Sequence, residues 1–142
     1  MFSIFLVGIP VILANMLLQS LMSVWCIRFY VKRFNRREGA LAGMLALFGI
    51  ITLVMLGNLA QIGVWGGLFL WLGEFDTLQE AVYHSGVNFA TLGYGDIVMS
   101  PQWKLLGPLE AVNGALMIGL SGASMLAVLQ HHIRNQLADS PP

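Results

Sequence analysis

The residues whose types and order suggest chemistry lie in one run, Thr91-Leu92-Gly93-Tyr94-Gly95-Asp96. Its two glycines can take positive φ at little cost. Alternating such residues with ordinary ones turns successive carbonyl oxygens to the same side of the chain. One copy supplies a row of oxygens. Copies gathered around an axis make stacked rings that can replace the hydration shell of a cation, with the Thr91 hydroxyl as a further ring. Each chain holds one such segment, so four chains are expected to meet. Enzyme chemistry is not expected. The sequence has no nucleophile–base pair, phosphate loop or metal quartet, and His84, Ser85 and Asp96 make no credible triad. No cofactor is implied.

Composition sets the environment of this run. Of 142 residues, 57% are hydrophobic and 10% charged. A soluble domain carries about a quarter charged residues, so an integral membrane protein is expected. Three stretches reach the roughly 20 apolar residues needed to cross a bilayer: Phe2 to Ile27, Leu41 to Leu72 and Trp103 to Gln130. The second is long enough to require tilt or emergence from the membrane. The N-terminal stretch has no cationic leader and no small-x-small cleavage site, and is read as a retained membrane helix. The short flanking segments are expected to hold no cytosolic ligand-binding domain.

Of the seven lysines and arginines, Arg28, Lys32, Arg33, Arg36 and Arg37 fall between positions 28 and 37. This clump reads as a cytoplasmic loop rather than a nucleic-acid patch. The N-terminus is then outside and the C-terminus inside. Glu74, Asp76, Glu80 and Asp96 fall on the outer side, where they could concentrate cations or form only a solvated rim. The cations sit in a loop rather than at regular spacing in a helix, so no voltage sensor is expected.

Glu74 to Ser100 begins and ends outside, is too apolar for a solvent loop and is too short to cross twice. It reads as a re-entrant hairpin: a short helix from Thr77 to Phe89, N-capped by Asp76 with Gln79 as reciprocal partner, then an extended return. Non-helical backbone at membrane depth costs several kcal/mol per unpaired group, and is tolerated where it lines an aqueous path.

Thr91-Leu92-Gly93-Tyr94-Gly95-Asp96 resembles the selectivity filter of the potassium channel superfamily. Trp103-Lys104-Leu105-Leu106, Leu109-Glu110 and Gly114 resemble the inner helix of small bacterial two-transmembrane, pore-loop channels. The resemblance covers roughly residues 40–130. It implies an all-α membrane protein whose three transmembrane helices, re-entrant pore helix and filter loop assemble into a tetrameric pore. The units are a peripheral N-terminal helix (1–31), a basic loop (32–39), a pore domain (40–130) and a cytoplasmic tail (131–142). Within the pore domain lie an outer helix (40–73), a pore helix (77–89), the filter (91–96) and an inner helix (102–130).

The implied function is passive, selective conduction of K+ through the carbonyls of Thr91, Leu92, Gly93, Tyr94 and Gly95, in a homotetramer set among lipids of a bacterial inner membrane. A weakly selective Na+/K+ channel and a non-conducting regulatory subunit are the alternatives. Leu92 stands where relatives carry valine. Val87 stands where many carry an acid or threonine tethered behind the filter. Tyr83 replaces a tryptophan and could donate to Asp96.

Glu110, a carboxylate within a membrane segment, is an acceptor behind the filter, a tuner of the cavity potential, or an acid satisfied by pore-helix groups with only a structural job. Gly114 resembles the hinge of the family's inner helices; a close-packing contact is the other reading. Family spacing places Ala115, Ile118, Gly122 and Leu126 along the inner cavity. Asn58 and Gln61 could hydrogen-bond between helices, and Asn113 could reach a neighbouring subunit. His131 and His132, adjacent and so pointing apart, read as interfacial residues rather than a chelating pair. The N-terminal helix lies outside the resemblance.

Overall fold

The computed structural model describes residues 2–33 and 40–138. Arg36 and Arg37 of the expected basic loop, and the last residues of the tail, lie outside the described residues. The described chain is all-helical: α1 (Phe2–Arg33), α2 (Ala40–Trp71), α3 (Leu78–Phe89) and α4 (Leu106–Ala138). The three long helices are each long and apolar enough to cross a membrane. At ~1.5 Å per residue each measures about 48 Å, against a hydrocarbon core of ~30 Å, a length that requires tilt or emergence from the membrane.

α4 starts later than the sequence implied. Residues 101–105 form turns, with Trp103 N and Lys104 N bonded to Ser100 O and Leu106 N to Trp103 O. It also runs on past His131 and His132. The N-cap of α3 is Thr77, not Asp76: Thr77 is extended (φ −127, ψ 148) and its hydroxyl accepts from Glu80 N at 3.2 Å. Thr77-x-x-Glu80 and Asp76-x-x-Gln79 both fit the capping template, and the helix begins one residue further on than the second requires.

α3 lies in a slot between α2 and α4 whose walls are glycines. A Cβ at Gly66 of α2 would lie 3.0 Å from Val82 Cα, and one at Gly107 of α4 would lie 3.2 Å from Asn88 Nδ2. One at Gly114 would lie 2.7 Å from Phe89 Cα and carbonyl carbon, and closer still to the carbonyl oxygen. Around the slot, Trp65, Phe69, Ala81, Phe89 and Leu106 form a buried apolar core with Ile4 of α1.

α1 packs mainly on α4 and less on α2. Its inward face carries Asn15, Gln19, Ser23, Cys26 and Tyr30, all buried, while Phe2, Leu6, Ile9, Leu13, Leu17 and Leu21 point outward. Asn15 and Gln19 bond across helices, whereas the Ser23 hydroxyl has no hydrogen-bond partner among the described residues. Asn15 Nδ2 donates to Asn113 Oδ1 at 3.1 Å, and Trp65 Nε1 donates to the same oxygen at 3.1 Å. Gln61 donates to Gln19 (2.8 Å), Gln19 to Ser121 (2.8 Å) and Asn58 to Ser121 (3.1 Å). Lipid provides no hydrogen-bonding partner, so these side chains bond one another and fix helix register, each bond contributing about 0.6–1.7 kcal/mol, although Gln61 Oε1 and Asn113 Nδ2 stay without a partner among the described residues. Asn113, expected to reach a neighbouring subunit, uses its oxygen within the chain. At the far end of α1 the Tyr30 hydroxyl lies 2.7 Å from His132 Nδ1.

Candidate functional site

The run 91–96 begins where α3 stops. Ala90 is the C-cap, Thr91 N donates to Asn88 O at 2.8 Å and Leu92 N to Val87 O at 2.9 Å. These two bonds make a Schellman motif, which needs a left-handed residue after the cap. That residue is Thr91, at φ 57. A β-branched residue there costs about 1–2 kcal/mol relative to glycine. α2 ends in the same motif with Gly73 (φ 73) in the equivalent place, Gly73 N bonding Leu70 O and Glu74 N bonding Phe69 O.

Beyond Thr91 the left-handed residues recur at Gly93 (φ 61) and Gly95 (φ 71), with Leu92 and Tyr94 between them. Positive φ therefore falls on every second residue from 91 to 95. All five are exposed on the single chain, Leu92 at 54% and Tyr94 at 65%. Apolar side chains stand free on one strand of backbone whose own hydrogen bonds stop at Leu92 N.

Three side chains anchor the return of this run. The Tyr83 hydroxyl donates to Asp96 Oδ2 at 2.6 Å. That bond holds the Asp96 carboxyl below the usual carboxylate range and pushes the Tyr83 phenol up. His84 Nδ1 lies 3.0 Å from Ile97 O, which only accepts, and its Nε2 lies 2.8 Å from the Asn88 amide nitrogen. A neutral ring with its proton on Nδ1 satisfies both. Burial against Phe69 and Phe75 lowers the His84 pKa, opposed by Ile97 O, Asp96 and Glu74. Glu74 accepts from Ser100 N (2.6 Å) and Ser100 Oγ (2.8 Å), clamping the end of the loop to the end of α2. Sequence reasoning found Tyr83 but missed His84 and Glu74 as anchors. His84 is one helical turn before Asn88, which was the available signal.

Behind the run, Val87 is buried and offers no polar tether. Glu110 of α4 is fully buried against α3, where Ser85 Oγ bonds to its Oε1 and also to Ile62 O at 2.8 Å. The other Glu110 oxygen makes no hydrogen bond of good geometry among the described residues. Glu110 thus links α4, α3 and, through Ser85, α2. Gly114 meets the backbone of Phe89, so the close-packing reading has a visible contact, and α4 runs through this position as unbroken helix. Ala115, Ile118, Gly122 and Leu126 are all exposed and form one stripe on α4. The opposite face, through Glu110, Asn113, Met117, Ser121 and Val128, is buried. No cluster of His, Cys, Asp or Glu able to hold a metal ion occurs among the described residues.

No curated protein and no solved structure matches the chain. A family model described as ion channel matches residues 58–131, just over half of the 142. The match runs from the middle of α2 through α3 and the 91–96 run into α4, the segment in which glycines seat a short helix between two long ones and release it into backbone of alternating hand. The chain belongs to the ion channel family.

Proposed function

We propose that this ion channel chain assembles as a homotetramer that conducts K+ passively and selectively. The observation that carries the reading is the alternation of positive φ at Thr91, Gly93 and Gly95 immediately after α3. Such alternation presents carbonyls in one direction, and four copies make the oxygen cage that dehydrated cations hop through. K+ is the transported ion and not a cofactor. Tyr83–Asp96, His84–Ile97 and Glu74–Ser100 hold the outer end of the cage. Glu110 and Val87 back it, and Ala115, Ile118, Gly122 and Leu126 line the path beneath.

Fourfold contact also gives Leu92 and Tyr94 apolar neighbours that one chain does not supply. The basic end of α1 faces the cytoplasm, leaving residues 74–100 outside, in a cell membrane of bacterial inner-membrane type.

Purified protein in liposomes tests this directly. Wild type is expected to pass K+ and to show a reversal potential near the K+ equilibrium value under a Na+/K+ gradient. Gly93→Ala forces a Cβ onto a left-handed residue and is expected to abolish the flux. A reversal potential near zero identifies a weakly selective cation channel. Absence of flux from correctly assembled wild type identifies a non-conducting subunit.

A further inference from the structure

The outward face of α1 and the neighbouring face of α2 enclose an open groove of about 540 Å³. Its lining includes Leu18, Leu21, Met22 and Trp25 of α1 and Leu53 of α2, and it closes at Arg28. The Met22 side chain lies across Gly57, where a Cβ would collide with it, so the floor is a thioether laid on bare helix backbone. Trp25 forms a wall, stacked on Phe29 with ring centroids 5.4 Å apart. Leu18, Leu21 and Trp25 are 44%, 61% and 57% exposed, so no described residue fills the groove.

Two features identify an occupant. The first is length. Leu18 to Arg28 spans about 15 Å at ~1.5 Å per residue, the depth of one leaflet of a ~30 Å hydrocarbon core. The second is charge. The apolar lining stops at the Arg28 guanidinium, and Lys32, one turn further along the same face, is also exposed. Trp25, a turn deeper, lies where indole rings favour the membrane interface. An acyl chain fits the groove, and a phosphate fits the fork of Arg28.

We propose that this groove is a binding site for one anionic phospholipid of the leaflet at the Arg28 end of α1. The acyl chain lies along Leu18, Leu21 and Trp25 over Met22, and the headgroup phosphate pairs with Arg28. The lipid would join α1 to α2 on the side opposite the buried polar contacts.

Bromine on an acyl chain quenches indole fluorescence by contact, and Trp25 reports from inside the groove. The full chain, with Trp71→Phe and Trp103→Phe to remove the other accessible indoles, is reconstituted into phosphatidylcholine vesicles containing phosphatidylglycerol, with either lipid brominated in turn. Trp65 is fully buried and stays silent. Brominated phosphatidylglycerol is expected to quench with about fivefold higher apparent affinity than brominated phosphatidylcholine, the preference one well-placed cation confers. Arg28→Gln removes that preference. Leu21→Phe, which fills the groove and leaves every charge in place, removes it too, whereas Arg134→Gln on α4 leaves it intact. An Arg134→Gln loss equal to that of Arg28→Gln, or an unchanged preference in Leu21→Phe, means diffuse surface attraction and overturns the site. Failure of either brominated lipid to quench Trp25 means a second copy of the chain covers the groove, and overturns it as well.

Discussion

Gly114→Ala separates two effects of opposite sign. Replacing an exposed mid-helix glycine with alanine stabilises a helix by up to about 1 kcal/mol. At Gly114 the added methyl would sit 2.7 Å from Phe89 Cα and its carbonyl carbon, and nearer still to the oxygen. Carbon atoms pack at about 3.5–4.0 Å, so Phe89 must retreat by roughly 0.8 Å. The obstacle is backbone, so no rotamer change relieves it.

Phe89 is the last residue of α3, with Thr91 two residues beyond, and its retreat carries the start of the 91–96 run, the proposed filter, with it. Overpacking of this kind costs about 1–3 kcal/mol, which exceeds the helix-propensity gain. The expected result is a tetramer with a lower Tm and reduced K+ selectivity. Gly119→Ala, where a Cβ meets nothing within 4 Å in the chain, is the comparison and should hold or raise Tm. Thermal unfolding in detergent and reversal potentials in liposomes read both. If Gly114→Ala matches Gly119→Ala in Tm and selectivity, the contact argument fails. A change in open probability alone, with selectivity intact, would instead support a hinge.

Other consequences can be checked with the same assays. Thr91→Gly relieves the left-handed threonine and should raise thermal stability by about 1 kcal/mol, while loss of its hydroxyl ring lowers K+ flux. Gln19→Leu leaves the Gln61 amide without its acceptor in a buried site, and should lower stability by about 1–3 kcal/mol without altering selectivity. His84 is held neutral, with a pKa below its ordinary 6.5. The unfolded chain therefore binds the extra proton more readily, so the stability His84 contributes is complete above about pH 6.5 and is lost as pH falls below it. Thermal unfolding against pH should show that decline in wild type and a flatter profile in His84→Gln. Tyr83→Phe should move the Asp96 titration back up toward the ordinary carboxylate range, followed by NMR of the side-chain carboxyl.

The spans were legible because a chain with 10% charged residues has few ways to satisfy its backbone, and the short helix because Glu74 to Ser100 had to start and end on one side. The face of α1 was less legible. Asn15 and Gln19 are isolated polar residues in an otherwise apolar run, yet Asn15, Gln19, Ser23, Cys26 and Tyr30 are spaced by four, four, three and four and so share one side of a helix. In lipid the sided residues are the polar ones, so the period had to be sought in them and not in the leucines. Gly66 and Gly107 were unreadable for another reason. A glycine required by a neighbouring helix looks like any other in a chain with 16.

Thr91 was half legible. The sequence showed that the short helix must stop near the glycines, but helix ends of this kind normally place glycine itself in the left-handed position, as α2 does with Gly73. α3 places threonine there and accepts the conformational cost. The two helices differ in the task of the next segment. After Gly73 the chain turns back through Glu74, whose side chain clamps the loop, and no functional group is required of the turn residue. After α3 the turn residue is also the first member of the alternating run, so the conformation that ends the helix is the one that starts the row of oxygens. Glycine would serve the turn equally well and leave that position without a hydroxyl. On the proposed function, a strained threonine at a helix terminus, where its neighbour element manages with glycine, marks the point at which the requirements of folding and of ion handling fall on one residue.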